Sequence, residues 1–204
     1  TRLNVQSGAA IFYNGIAYGS GETALENMFG DSGLVQVDSL YSGKVTALDS
    51  DNQSGYDVIF VEIAATGVVE ELSDRGVLTF KNTVGSRTNM NNISRIRFDE
   101  DDTTTIINVT KDGEAYDYTQ LKEWDVVTII YNDTQPNVYD IRVLGDTAIQ
   151  GTITEVSSSD TSFDSNAYRI GDNRYDVADG FYSNGTLRAG AAGTFYVDEY
   201  GKLV

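Results

Sequence analysis

Three carboxylates crowd one short stretch, Asp49-Ser-Asp51-Asn-Gln53-Ser-Gly55-Tyr-Asp57. Counted from Asp49 they stand at positions 1, 3 and 9, with the side-chain carbonyl of Gln53 at position 5. A tightly coiled loop turns such oxygens onto one hard cation, and Ca²⁺ accepts oxygen ligands at about 2.3–2.6 Å. Asp49, Asp51, Gln53 and Asp57 are therefore the candidate metal ligands. The pattern departs from a helix–loop–helix calcium site in three places. Gln53 stands where Asp or Asn is usual, Gly55 comes one place late, and Phe60 occupies the place of the bidentate Glu. Related loops join two strands in calcium-binding hairpins. The alternative is a polar turn whose Asp and Asn side chains cap their own backbone. The sequence requires no cofactor; Ca²⁺ is the one it accommodates.

Other chemistries are closed off. With His 0 and Cys 0 there is no Ser-His-Asp triad, no imidazole base, no cysteine nucleophile, no disulfide and no ordinary tetrahedral zinc site. Thirty-one acidic residues supply many accidental carboxylate pairs, none in a pattern that marks a glycosidase. The acidic run Asp99-Glu-Asp-Asp102 reads as a solvated loop before a second cation patch. Tyr13, Tyr18, Tyr116, Tyr118, Tyr131, Tyr139, Tyr196 and Tyr200 suit sugar stacking, but Tyr is also an ordinary strand residue with a wet hydroxyl. The chain reads as no enzyme. Its net charge of −17 repels phosphate backbones and anionic membranes, which excludes nucleic acid as a partner. No apolar run reaches the ~20 residues of a membrane span.

The elements that must position these groups are strands. Asn14-Gly15 between apolar runs is a tight hairpin signal, repeated at Asp112-Gly113. Leu25 and Phe29 at helical spacing, with Ser20 as cap, predict one short helix over residues 21–29. Strands are expected at 43–48 and 56–63 around the acidic loop, then at 67–72, 77–81, 106–109, 115–118, 126–131 and 138–144. A terser set follows at 151–156, 167–170, 175–178, 194–197 and 202–204. Residues 82–92 form a polar excursion. Trp124, in the turn before residues 126–131, reads as a plug in the core.

Two ordered matches point to internal duplication. Gly43-Lys-Val-Thr resembles Gly151-Thr-Ile-Thr, and Leu121-Lys-Glu-Trp-Asp resembles Leu187-Arg-Ala-Gly-Ala, each of the latter opening a Thr-containing strand. The expected fold is all-β: tandem small SH3/OB-like β-barrels, the first enlarged by hairpin insertions, with at most one short helix. Curling a sheet closed removes the edges that invite pairing between chains. The expected organisation is residues 1–36 as an N-terminal hairpin and short helix, packed on the first barrel or ending a preceding module. Residues 37–146 form the first barrel with its insertion, and 147–204 the second small barrel, with a seam near Gly145–Ala148.

The stretch Gly43-Lys-Val-Thr-Ala-Leu-Asp-Ser-Asp-Asn-Gln-Ser-Gly-Tyr-Asp-Val-Ile-Phe-Val61 resembles a segment of S-layer-homology-domain proteins of Firmicutes. Leu121-Lys-Glu-Trp-Asp-Val-Val, Gly151-Thr-Ile-Thr-Glu-Val and Gly193-Thr-Phe-Tyr-Val-Asp-Glu-Tyr-Gly-Lys-Leu-Val204 are similar to further segments of that family in the same order. The resemblance covers residues 35–204 and leaves out the three-helix anchoring repeats. It implies an exported, extracellular, cell-wall-associated β-rich segment of a Gram-positive surface protein; Thr1 in place of Met reads separately as the start of an excised or processed piece of a longer protein. Its partners would be other modules of the same protein or a cell-wall polysaccharide. A carbohydrate-binding or adhesin module using exposed tyrosines is the alternative, and an accessory domain of a surface hydrolase a weaker one.

Overall fold

The computed structural model describes residues 4–204 apart from 36–42, 85–92, 100, 133–136, 159–165 and 179–186. Most of the polar excursion, and Pro136, lie outside the described residues. In chain order the elements are β1 (Val5–Tyr13), β2 (Ile16–Ser20), α1 (Gly21–Phe29), β3 (Gly43–Leu48), β4 (Tyr56–Leu72), β5 (Val77–Val84), β6 (Ile93–Arg97), β7 (Thr105–Lys111) and β8 (Glu114–Ala115). Then come β9 (Val126–Asn132), β10 (Asn137–Val143), β11 (Ala148–Ser158), β12 (Asn166–Ile170), β13 (Asn173–Tyr175) and β14 (Ala192–Tyr196). The class is all-β with one short helix, as expected. Tyr118, expected on a strand, lies instead in a single 3-10 turn, Tyr118–Gln120.

Strand β4 organises the molecule. The sequence reads as two strands broken near Ala64–Thr66, but residues 56–72 form one strand of 17 residues. Its first half lies between β1, parallel, and β3, antiparallel. Its second half lies between β9 and β5, both antiparallel. The sheet then continues from β9 through β10 to β7 and β8, while β6 extends β5. One face of β4, β5, β6, β9 and β10 supplies a single core that includes Val69, Leu78, Ile96, Ile129 and Ile141. A single sheet that buries one face against itself must wrap round that face. Among the described residues no sheet closes completely: the ladders run between open ends.

The registers reveal a repeat. Gly67 faces Val127 across β4–β9, and Gly151 faces Gly193 across β11–β14. Val69 faces Phe80 just before a bulge; Ile153 faces Ile170 just before the same bulge. The turns entering β9 and β14 match bond for bond. The Trp124 and Gly190 N–H groups donate to the Val69 and Ile153 carbonyls, and the Val69 and Ile153 N–H groups donate to the Asp125 and Ala191 carbonyls. The last strands agree as well: Leu203 bridges Val197 antiparallel and Val177 parallel, as β10 bridges β9 and β7. The described parts of residues 64–143 and 148–204 thus repeat one pattern of strand pairing.

These registers correct one sequence match. The strand equivalent to 151–156 is 67–72, not 43–48. Strand β3 instead takes the place of β9: Val45 faces Val61 as Val127 faces Val143. Around it, β1 runs parallel to β4 as β7 runs parallel to β10, and each is followed by a turn with two positive φ angles. These are Asn14 (45°) with Gly15 (81°), and Asp112 (53°) with Gly113 (83°). The N-terminal unit, β1 to the first half of β4, is therefore the closing part of the same repeat. Its core is sealed by Met28 of α1 over Ile11, Ile59 and Val61.

The two junctions differ. Between the N-terminal and central units β4 passes straight through, and Asn14 welds the seam. Its N–H donates to the Val61 carbonyl at 2.9 Å. Its Oδ1 accepts from the Ile63 N–H at 2.8 Å, and its Nδ2 donates to the Tyr131 carbonyl at 2.7 Å. Between the central and C-terminal units, residues 144–147 interrupt the strand, with Asp146 at a φ of 50°. The C-terminal unit folds back so that Ala178 and Val204 pack on Val68 and Val126. Trp124 is no core plug. It is 36% exposed and stacks on Tyr196 at 5.4 Å between ring centroids, with the Lys81 ammonium 4.1 Å from its own ring. The turn puts Trp124 at a φ of 73°, where the C-terminal unit has Gly190 at 91°.

Candidate functional site

The acidic loop joins β3 to β4. Pairing of Leu48 with Val58 fixes its ends, and Asn52 (φ 59°) and Gly55 (φ 110°) supply the left-handed bends. Glycine is required at 55 by its φ of 110°, and a Cβ there would also lie 3.0 Å from the Asn4 carbonyl oxygen. The loop is braced from the neighbouring strand. Gln6 Nε2 donates to Asp51 Oδ1 at 3.1 Å and to the Gly55 carbonyl at 3.2 Å, and the Tyr56 N–H donates to Asn4 O at 2.9 Å.

Within this frame Asp49, Asp51 and Asp57 each bring a carboxylate oxygen within 4.8 Å of the other two. The spacing read from the sequence does bring its three acids together. Gln53 enters through its backbone N–H, which donates to Asp51 Oδ1 at 3.0 Å. Asp57 accepts from both the hydroxyl and the N–H of Ser50. The Ser50 hydroxyl, and then its N–H, hold the Asp57 carboxyl below the usual value. These internal bonds engage Asp57 and Oδ1 of Asp51 and do not involve Asp49 or Oδ2 of Asp51. The run at Asp99–Asp102 resolves differently: Asp99 pairs with Arg97 at 3.2 Å and Asp102 caps the Thr104 N–H at 2.7 Å.

Two features escaped the sequence. A cleft of about 260 Å³ lies in the central unit, with Ile107 and Val109 among its lining, Phe98, Tyr116 and Tyr118 as aromatic walls, and Arg97, Asp99 and Asp102 as polar groups. Phe98 and Tyr118 stack at 4.0 Å. Residues 98–104 have no counterpart between β13 and Val177, so the repeat itself does not demand this cleft. The second is Asp198, 4% exposed, whose Oδ1 accepts from the Tyr200 and Lys202 N–H groups while Oδ2 has no partner. Burial raises its pKa. No spacing signal marks either one. The chain matches no protein-family model, and no curated protein is significantly similar to it.

Proposed function

We propose that this chain is a non-catalytic structural and interaction segment of an exported bacterial cell-wall or S-layer-associated protein, a stiff tandem of small SH3/OB-like β units that spaces or displays its neighbours. The observation that carries this reading is the repeat welded through β4, one strand shared by two units. An enzyme concentrates convergent groups in a cleft; here the conspicuous polar group, Asn14, joins units. A second reading, glycan binding, is favoured by the aromatic walls of the 260 Å³ cleft.

Spin labels at Glu22→Cys and Asp172→Cys, convenient in a chain with Cys 0, report the spacing of the outer units. A single narrow distance distribution is expected, broadened by Trp124→Gly, which removes the stack on Tyr196. A broad distribution in the parent chain would defeat the scaffold reading. Cell-wall glycan should leave the distribution and melting point unchanged; a rise in melting point abolished by Tyr118→Ala would transfer the function to the cleft.

The loop Asp49–Asp57 is proposed to take Ca²⁺ weakly, in the millimolar range of extracellular modules. At ten times its Kd, Ca²⁺ should add about 1.4 kcal/mol of stability, a melting shift of about 3–6 °C for a chain of this size. Asp49→Asn, which disturbs none of the loop's internal bonds described above, should remove that shift. Equal melting points in Ca²⁺ and chelator would leave the loop a plain turn.

A further inference from the structure

We propose that the outer edge of β3 is a docking site for an antiparallel strand with the repeat's own opening pattern, supplied by another polypeptide segment of this repeat type. In both full units the strand in β3's position is flanked on two sides. β9 lies between β10 and the second half of β4, and β14 lies between β11 and Leu203. Strand β3 has the first half of β4 on one side. Among the described residues no strand pairs with its other side, where the backbone of Gly43, its first residue, bonds the Tyr200 side chain and residues 44–48 stand open.

The core records the same gap. Val127 and Ile129 are fully buried in the central unit. Their counterparts Val45 and Ala47 are only half-buried, and Leu48 is 45% exposed where Ile130 is 5% exposed. Edges that are to stay single are commonly blunted by brevity, proline, bulges or charge. Strand β3 has six residues, no proline and a register without a shift, and Lys44 is its one charged residue. Strands β8, with two residues, and β13, with three, are too short to offer the same template.

The internal precedent fixes the occupant's chemistry and register. It is a hairpin like Ala64–Phe80, with Gly67 opposite Val45 and Ala65 opposite Ala47, as those residues stand opposite Val127 and Ile129. Backbone hydrogen bonds along the edge give affinity, and alternate apolar side chains cover the half-buried Val45 and Ala47. The open edge follows from the strand registers and is independent of where the protein is displayed.

The probe is a synthetic peptide of residues 64–81, added to the full chain and followed by hydrogen exchange. The expected result is at least tenfold slower exchange confined to residues 44–48, and a weaker effect from a Gly67→Val peptide. No protection, protection at another edge, or equal protection by a scrambled peptide would overturn the assignment. A second construction covers poor peptide solubility: residues 64–104 fused directly ahead of Asn4, reproducing the order of a full repeat. It should raise the melting point and protect residues 44–48; an unchanged melting point with exchangeable 44–48 amides would also overturn it.

Discussion

Replacing Asn14 with alanine should lower the unfolding free energy by about 3–5 kcal/mol, the combined scale of one buried and one part-buried polar group left unmet and one residue strained in the left-handed region. The unmet groups are the Ile63 N–H and the Tyr131 carbonyl, both bonded to the Asn14 amide. The strain arises because alanine must adopt the φ of 45° that Asn14 holds. Glycine separates the two causes: Asn14→Gly removes the strain while still losing the amide, so it should be about 1 kcal/mol less damaging than alanine. Asn14→Asp keeps the acceptor for Ile63 but sets a carboxylate oxygen against the Tyr131 carbonyl. Urea unfolding with an unchanged m-value is the measurement, since midpoint shifts at constant m report stability alone. A loss below about 1 kcal/mol in the alanine variant would mean that the amide bonds contribute little to the seam. The neighbouring Asn132, which donates to the Tyr13 carbonyl at 3.2 Å, would then be the stronger link.

Asn14 also shows where sequence reading stops. Asn-Gly between apolar runs announces a tight turn, and the turn is there. That its side chain fills a gap between two different strands depends on Tyr131, far along the chain, which no local pattern reveals. The helix was legible from Leu25 and Phe29, yet Met28 is the residue it buries completely, and Ser20 makes no side-chain cap. The duplication was half legible. Leu121 and Leu187 mark equivalent turns because turn geometry constrains residue type locally. Alternating Gly-x-Val-Thr text suits any strand of the unit, and only pairing partners tell β3 from the start of β11. In the acidic loop, the grouping of Asp49, Asp51 and Asp57 followed from spacing. The bracing by Asn4 and Gln6 did not, since it comes from a strand beyond the turn and helix. A large aromatic such as Trp124 suggests a core, whereas its turn requires a left-handed residue at the surface.

Gly67→Ala should strongly destabilise the central unit. A Cβ at that position would lie 2.6 Å and 2.8 Å from two carbons of the Phe80 ring and 3.3 Å from the Ile129 Cδ1. The ring crosses the strand where no side chain stands, and both Phe80 and Ile129 belong to the buried core, so neither can withdraw freely. Overpacking of this kind costs about 1–3 kcal/mol, with more at rigid sites, and about 3 kcal/mol is expected here. The C-terminal unit repeats the experiment: a Cβ at Gly151 would lie 2.6 Å from Ile170 Cγ2, and Gly151→Ala should destabilise in the same direction. Trimming the opposing side chain gives the decisive comparison. Phe80→Leu and Ile170→Ala each cost stability alone, because they remove buried carbon. Combined with the matching glycine replacement, each should recover part of the loss, with a coupling of about 1–2 kcal/mol in a double-mutant cycle. Strict additivity in both cycles would show that the close approach of strand and side chain is not what requires glycine there. Coupling in both would establish in solution that Gly67 and Gly151 do the same work in two copies of one unit.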